Sequence, residues 1–271
     1  MIKLYDNPFS PFARKVRMVL AHKEIPFQSI DALAKEHHGE LVRANPRAEV
    51  PVVDDGGFIV SNSSEIVAYL EDRHPEPRVF PSAPKQRAKA RYWERLSDSF
   101  VDSVIHDISI WMWPTHQRQD EPPQGLIEAG RRDLEEFIEM MESSLDGDGF
   151  LCGELTVADL AIFPHLSALK PLGIVIEAER HPRLREWIRR MRSLPIVQSD
   201  LDYVKRMAAQ KFLEGPSPYE GERIIWRGDR LEWLFANGFH GWWLGELQAG
   251  RAVLPSWLSH RSPGGAPGRE A

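Results

Sequence analysis

Four prolines within ten residues, Pro75, Pro77, Pro81 and Pro84, split this chain into halves with different hydrophobic periods. No helix interior or central strand tolerates that density, because each proline lacks a backbone donor and clashes with the preceding turn. The stretch reads as a linker over 77–84, with one domain before it (1–76) and another after it (85–212).

Before the linker the pattern is mixed. Met1 to Tyr5 alternates like a strand, Asp6-Asn7-Pro8-Phe9 turns, and Ser10 opens a helix that runs to Leu20. Pro26 to Asp31 is a second strand, so a β-α-β unit closes within 31 residues and a right-handed parallel crossover follows. Residues 35–44 form a short polar helix. Val50–Val53 and Phe58–Val60 flank Asp54-Asp55-Gly56-Gly57, a hairpin signal. Asn62 with Glu65 three residues on matches a capping box, opening a helix backed by Ile66, Val67, Tyr69 and Leu70.

After the linker the period is helical. Leu96, Phe100, Val104, Ile108 and Trp111 recur along one face of a single long helix that stops near Pro114. Leu126 to Leu145 forms a second helix, Thr156 and Asp159 cap a third, and Leu184, Trp187, Ile188 and Met191 mark a fourth. Gly215-Pro-Ser-Pro218 then breaks the pattern. Residues 213–261 hold Trp226, Trp233, Trp242, Trp243 and Trp257, and so much aromatic surface must be buried, so this extension is expected to pack on the helical domain. The Gly- and Pro-rich residues 262–271 are expected to be a flexible tail.

Charge and cysteine usage narrow the function. A net charge of −6 gives no basic field for nucleic acid or an anionic membrane. The one cysteine, Cys152, makes neither an internal disulfide nor a zinc cluster, and no His and carboxylate spacing suits a metal. The start lacks a signal-peptide core and no run reaches membrane-spanning length. A cytoplasmic protein with a small-molecule partner is expected.

Several residues have more than one use. Ser10 before Pro11 is an ordinary N-cap, yet a hydroxyl at a strand end and a helix N-terminus also suits an anion. A capping box accounts for Asn62 and Ser63 without a ligand, and Thr156 with Asp159 reads as a cap. Tyr5 is expected to pack in the sheet, and Cys152, in a buried turn, to be a poor nucleophile. Arg131-Arg132 and Arg189-Arg190 read as solvated helix faces, and His240 as a packed polar residue.

Four motifs follow in order: Leu4-Tyr5-x-x-Pro8-x-Ser10-Pro11 with Arg14-Lys15-Val16-Arg17-x-x-Leu20; Asn45-Pro46-x-x-x-Val50-Pro51; Ser63-x-x-Ile66-x-x-Tyr69-Leu70; and Phe150-Leu-x-Gly153-x-x-Thr156-x-Ala158-Asp159. Across residues 1–200 this set resembles the cytosolic glutathione transferase superfamily, in its serine-type class; residues 201–271 have no such resemblance. The resemblance implies an α/β thioredoxin-like N-terminal domain followed by an all-α helical domain. It implies a homodimer using glutathione as co-substrate, without a metal, against a small hydrophobic electrophile.

Carried over by position, Ser10 matches the catalytic serine whose hydroxyl donates to the glutathione sulfur. Val50 lies where the backbone pairs with the cysteinyl part, before a cis Pro51 that as a plain strand opener is equally acceptable in trans. Ser63 matches the residue holding the γ-glutamyl carboxylate, and His37 or His38 lies near the glycyl end. Phe12, Trp111, Trp113 and His116 fall near the second-substrate pocket, although core packing is the leading use of the tryptophans. Two residues depart from the pattern: Glu49 sets a carboxylate where lysine or glutamine is common, and Asn62 replaces an acidic residue or glutamine. Both favour a rival expectation, a catalytically silent relative that serves as a protein-interaction module.

Overall fold

The computed structural model describes residues 1–32, 34–112, 120–147, 149–213, 224–225 and 228–253. Strands β1 (Ile2–Asp6), β2 (Phe27–Asp31), β3 (Val52–Asp55) and β4 (Phe58–Ser61) form one sheet in the order β2-β1-β3-β4. β1 and β2 are parallel, and β3 runs antiparallel to β1 and β4. Gly56 and Gly57 make the two-residue hairpin loop with φ of 64° and 98°, a left-handed conformation that side chains resist. Helix α1 (Pro11–His22) connects β1 to β2, α2 (Lys35–Ala44) leads towards β3, and α3 (Ser63–Arg73) follows β4. This is the expected thioredoxin-like unit.

The helical part begins at α4 (Pro84–Leu96) and continues through one π turn (Ser97–Val101) into α5 (Asp102–Met112). The apolar spacing predicts a single regular helix there. Instead Asp102 N–H reaches back to Ser97 O, five residues earlier, so one wider turn interrupts it. Helix α6 (Leu126–Ser144) lies against α5 at Gly130, where an added Cβ would sit 2.5 Å from Ile108 Cγ2. Glycine there is what lets the two helices approach. All ten residues of α7 (Val157–Leu166) are buried, which makes it the axis of the helical domain. Helices α8 (Pro182–Ser193) and α9 (Pro195–Leu213) complete the bundle.

The tryptophan-rich extension folds back as α10 (Gly228–Ala236) and α11 (His240–Gln248), with β5 (Ile224–Ile225) pairing parallel to β6 (Ala252–Val253). It packs on the helical domain as its aromatic content predicts. Trp233, Leu234 and Trp243 are buried in the main core, Trp233 Nε1 donates to Asp133 Oδ2 of α6 (2.9 Å), and the Trp242 ring meets Trp111 of α5 at 5.4 Å. Trp226, Trp257, the Gly215–Pro218 break, Pro114 and the tail lie outside the described residues.

Three side-chain expectations change. Arg131 donates to Leu172 O (3.2 Å) and Arg190 to Gly149 O (2.5 Å), so only Arg132 and Arg189 of the two pairs are solvated. His240 is exposed, with its ring edge-on to Phe235, not packed.

Candidate active site

Ser10 is the N-cap of α1, in extended conformation, with Pro11 at the first helical position. The preceding turn is closed by Ser10 N–H on Asn7 O (3.0 Å) and by Phe9 N–H on Asn7 Oδ1 (2.9 Å). Ser10 Oγ accepts a long bond from Ala13 N–H (3.4 Å), and no described residue takes its hydroxyl hydrogen. The half-buried Ser10 thus combines a hydrogen available for donation with the positive end of a 12-residue helix.

The Val50–Pro51 peptide is cis, immediately before β3. Glu49 does not stand as a bare carboxylate. Arg47 grips it with a two-pronged pair, Nε to Oε2 at 2.8 Å and Nη2 to Oε1 at 2.9 Å, and Asn45 Nδ2 donates to the Glu49 carbonyl (3.0 Å). The repulsion expected from Glu49 is therefore compensated within its own loop. His37 Nδ1 meets Asp31 O at 2.9 Å, while His38 is exposed. Asp31 also receives Lys211 from α9 (2.5 Å), so a cation that the sequence did not point to stands on this side.

At the start of α3 the expected capping box does not close. Asn62 adopts a left-handed φ of 75° and its Oδ1 accepts from Ser64 N–H (3.0 Å), not from Glu65. Ser63 is buried at the first helical position, and no described residue takes its hydroxyl. Beneath it, Lys15 Nζ contacts Asp98 (2.5 Å) and Glu94 (2.9 Å), and Ser64 Oγ lies 3.0 Å from Glu94 and 3.2 Å from Asp98. Lys15 is wholly buried. Burial alone would push its pKa down, but Asp98 and Glu94 together outweigh it and hold the ammonium above its ordinary value.

Of the four residues expected around a second pocket, only Phe12 and Trp111 are among the described residues; Trp113 and His116 lie outside them. Trp111 is buried in the core with its ring against Trp242. Phe12, two residues from Ser10, stands edge-on to His165 with centroids 6.1 Å apart. His165 joins a buried set missed by sequence reasoning: Nδ1 meets Ser97 Oγ (3.0 Å) and Nε2 meets Asp102 (3.4 Å). The Ser-His-Asp order is structural here, because Ser97 is fully buried and its hydroxyl also reaches Ala161 O (3.1 Å). Arg230 of α10 reaches the same Asp102 (3.5 Å) and His106 Nε2 (3.2 Å). The extension thus attaches on the side of the helical domain that carries the contact with Phe12.

The remaining candidates fall to packing. Tyr5 is buried in the sheet with its hydroxyl 3.4 Å from Glu40. Burial pushes the Cys152 thiol above its usual pKa, the opposite of what a nucleophile needs. Among the described residues no group of three or more His, Cys, Asp or Glu could hold a metal, and no helix is long and apolar enough to cross a membrane.

Comparison with known proteins gives a consistent assignment. The profile described as "Glutathione S-transferase, N-terminal domain" matches residues 4–78, and that described as "Glutathione S-transferase, C-terminal domain" matches residues 124–190, together just over half of the chain. Glutathione S-transferase U3 of Arabidopsis thaliana is 26% identical over 206 residues, covering 73% of this chain and 87% of its own. Glutathione S-transferase omega-1 of Mus musculus is 26% identical over 200 residues, covering 73% and 79%. Among solved structures, a glutathione S-transferase of Methylobacterium radiotolerans in complex with glutathione sulfonate superimposes with a TM-score of 0.63 at 26% identity, covering 73% of this chain and 93% of that one.

Proposed function

Because the chain belongs to the glutathione S-transferase family, and so is a glutathione-dependent transferase, we propose that Ser10 stabilises the glutathione thiolate for attack on a small hydrophobic electrophile. The observation that carries this reading is the Ser10 hydroxyl, whose hydrogen is taken by no described residue, at the N-terminus of α1. A thiol of pKa about 8.5 is only about 3% ionised at neutral pH, and lowering that value by about two units requires about 2.7 kcal/mol of preferential stabilisation. A donated hydroxyl hydrogen and helix-end amides are of that order. Ionisation alone then contributes about thirtyfold at most, and the rest comes from holding the electrophile in line.

In this reading the backbone at Val50, before cis Pro51, pairs with the cysteinyl unit, and Ser63 with the exposed Asn62 receives the γ-glutamyl end at the start of α3. His37, with His38 beside it on α2, faces the glycyl end, where Arg47 neutralises Glu49. Phe12 borders the electrophile. The protein acts in the cytoplasm as a homodimer, which the exposed Phe58 and Ile59 on the outer strand β4 support. A serine at position 10 disfavours thiol exchange, since no protein sulfur is there to form a mixed disulfide.

The test is an equilibrium titration with glutathione, followed by turnover of a model electrophile by Ser10→Ala. We expect binding at millimolar concentration or better, and a kcat lower by about tenfold or more with binding nearly intact. Unchanged turnover would leave Ser10 as a cap only. The exposed Phe235, Leu244 and Leu247 on α10 and α11 favour a second reading, a protein-interaction module, and the absence of glutathione binding would select it.

A further inference from the structure

We infer that Asp200 of α9, acting through Arg17, is a positioning residue for Ser10; this rests on the reading of Ser10 given above. Arg17 is buried, and its guanidinium meets three parts of the chain at once. Nη1 donates to Asp6 Oδ1 at the end of β1 (2.6 Å), Nη2 to the Pro8 carbonyl (3.1 Å), and Nε and Nη2 to Asp200 Oδ1 (3.0 and 2.7 Å). Pro8 lies two residues before Ser10, inside the turn that Ser10 N–H closes on Asn7 O. The position of Ser10 is therefore tied to a helix almost 190 residues further along the chain.

The charges in this cluster show why Asp200 is the controlling member. Its other oxygen, Oδ2, accepts from Arg14 Nε (2.8 Å), whose Nη1 continues to Ser167 Oγ (2.8 Å). Two arginines and two aspartates, Asp6 and Asp200, thus share one interior site, with Arg17 stacked on the Tyr203 ring at 4.8 Å. Without Asp200, Arg14 loses its acid and Arg17 is left with Asp6 alone, so the guanidinium turns towards that carboxylate. The Pro8 carbonyl, a neutral acceptor, is the contact that then gives way. Displacement of the turn by a fraction of an ångström is enough to spoil a hydroxyl-to-sulfur hydrogen bond. Asp200 touches no reacting atom in this scheme.

The experiment uses Asp200→Asn, which keeps the shape and removes the charge, beside Ser10→Ala and the double variant. Thermal unfolding and circular dichroism report the fold; kcat, the glutathione KM and the pH profile of kcat/KM report the site. We expect kcat to fall about tenfold or more, KM to change less than about twofold, and the ionisation seen in the profile to move up towards that of the free thiol. In the Ser10→Ala background Asp200→Asn should add little, since both act through one hydroxyl. Where Asp200→Asn does not fold, Arg17→Lys keeps a cation but cannot span Pro8 and both acids, and the same changes are expected. A lowered melting temperature with unchanged kcat and pH profile, or a fully additive loss in the double variant, would overturn the inference while leaving Ser10 intact. If Ser10→Ala itself has no effect, the role of Ser10 fails and this inference with it.

Discussion

Asn62-x-x-Glu65 and Thr156-x-x-Asp159 have the same form in sequence and open α3 and α7 in opposite ways. At α7 the box closes: Asp159 Oδ2 accepts from Thr156 N–H (3.0 Å) and Oγ1 (3.1 Å), while Oδ1 accepts from Leu151 N–H (3.0 Å) and Trp187 Nε1 (2.8 Å). At α3 the box stays open, with Asn62 exposed and its side chain accepting from Ser64 N–H. Burial separates them. Asp159 is fully buried, and burial pushes its pKa up against four donors that pull it down, so every acceptor site must be used. At α3 Asn62 and Glu65 are both exposed, so water serves as well as the Glu65 carboxylate. The closed box is a structural joint; the open one is where the function proposed above places the γ-glutamyl end.

Three substitutions test that distinction. Asp159→Ala should have the largest effect, about 4 kcal/mol of lost stability in denaturant unfolding, because the cap goes and the Trp187 and Leu151 donors are left buried without acceptors. A loss below about 1 kcal/mol would mean that the box is ornamental. Ser63→Ala should leave the melting temperature within a few degrees and raise the glutathione KM about tenfold, the value of one hydrogen bond to a charged group; an unchanged KM would turn the α3 start back into a plain helix end. The smallest effect belongs to Glu65→Ala, within about 0.5 kcal/mol, since Glu65 is exposed and makes no box. A cost of about 1 kcal/mol in an unfolding titration would show that the box closes in solution.

The fold was legible where the signal is local. The alternation of β1, the Gly56-Gly57 turn and the apolar faces of α6 and α8 each sit within one element, and each appears where its pattern predicts. The π turn was not legible, because Leu96, Phe100 and Val104 keep their spacing of four while the backbone takes in one extra residue. The helix starts at Ser10 and Asn62 were legible from local residue types, whereas the cis Pro51 was expected only from the family resemblance, since a strand opener is equally acceptable in trans. Arg47 with Glu49 was hidden by the loop conformation that turns two neighbours towards each other. Arg14, Lys15 and Arg17, adjacent in the first motif, are all buried, with acids supplied from residues 6, 94, 98 and 200. Sequence shows which residues carry charge; only the assembled chain shows which charge answers which.

That last pairing has a bearing on how the protein is made. Translation adds residues at roughly 5 to 20 per second, so the aspartate that Arg14 needs arrives roughly 10 to 40 s after the arginine itself. The Arg14 guanidinium meets Pro164, Ser167 and Asp200, which lie in the late part of the chain. During that interval Arg17 has Asp6 within its own domain, but Arg14 has no acid and must stay in water that the finished protein seals away. The thioredoxin-like domain emerges before the helical one, yet its buried charges are completed only with it.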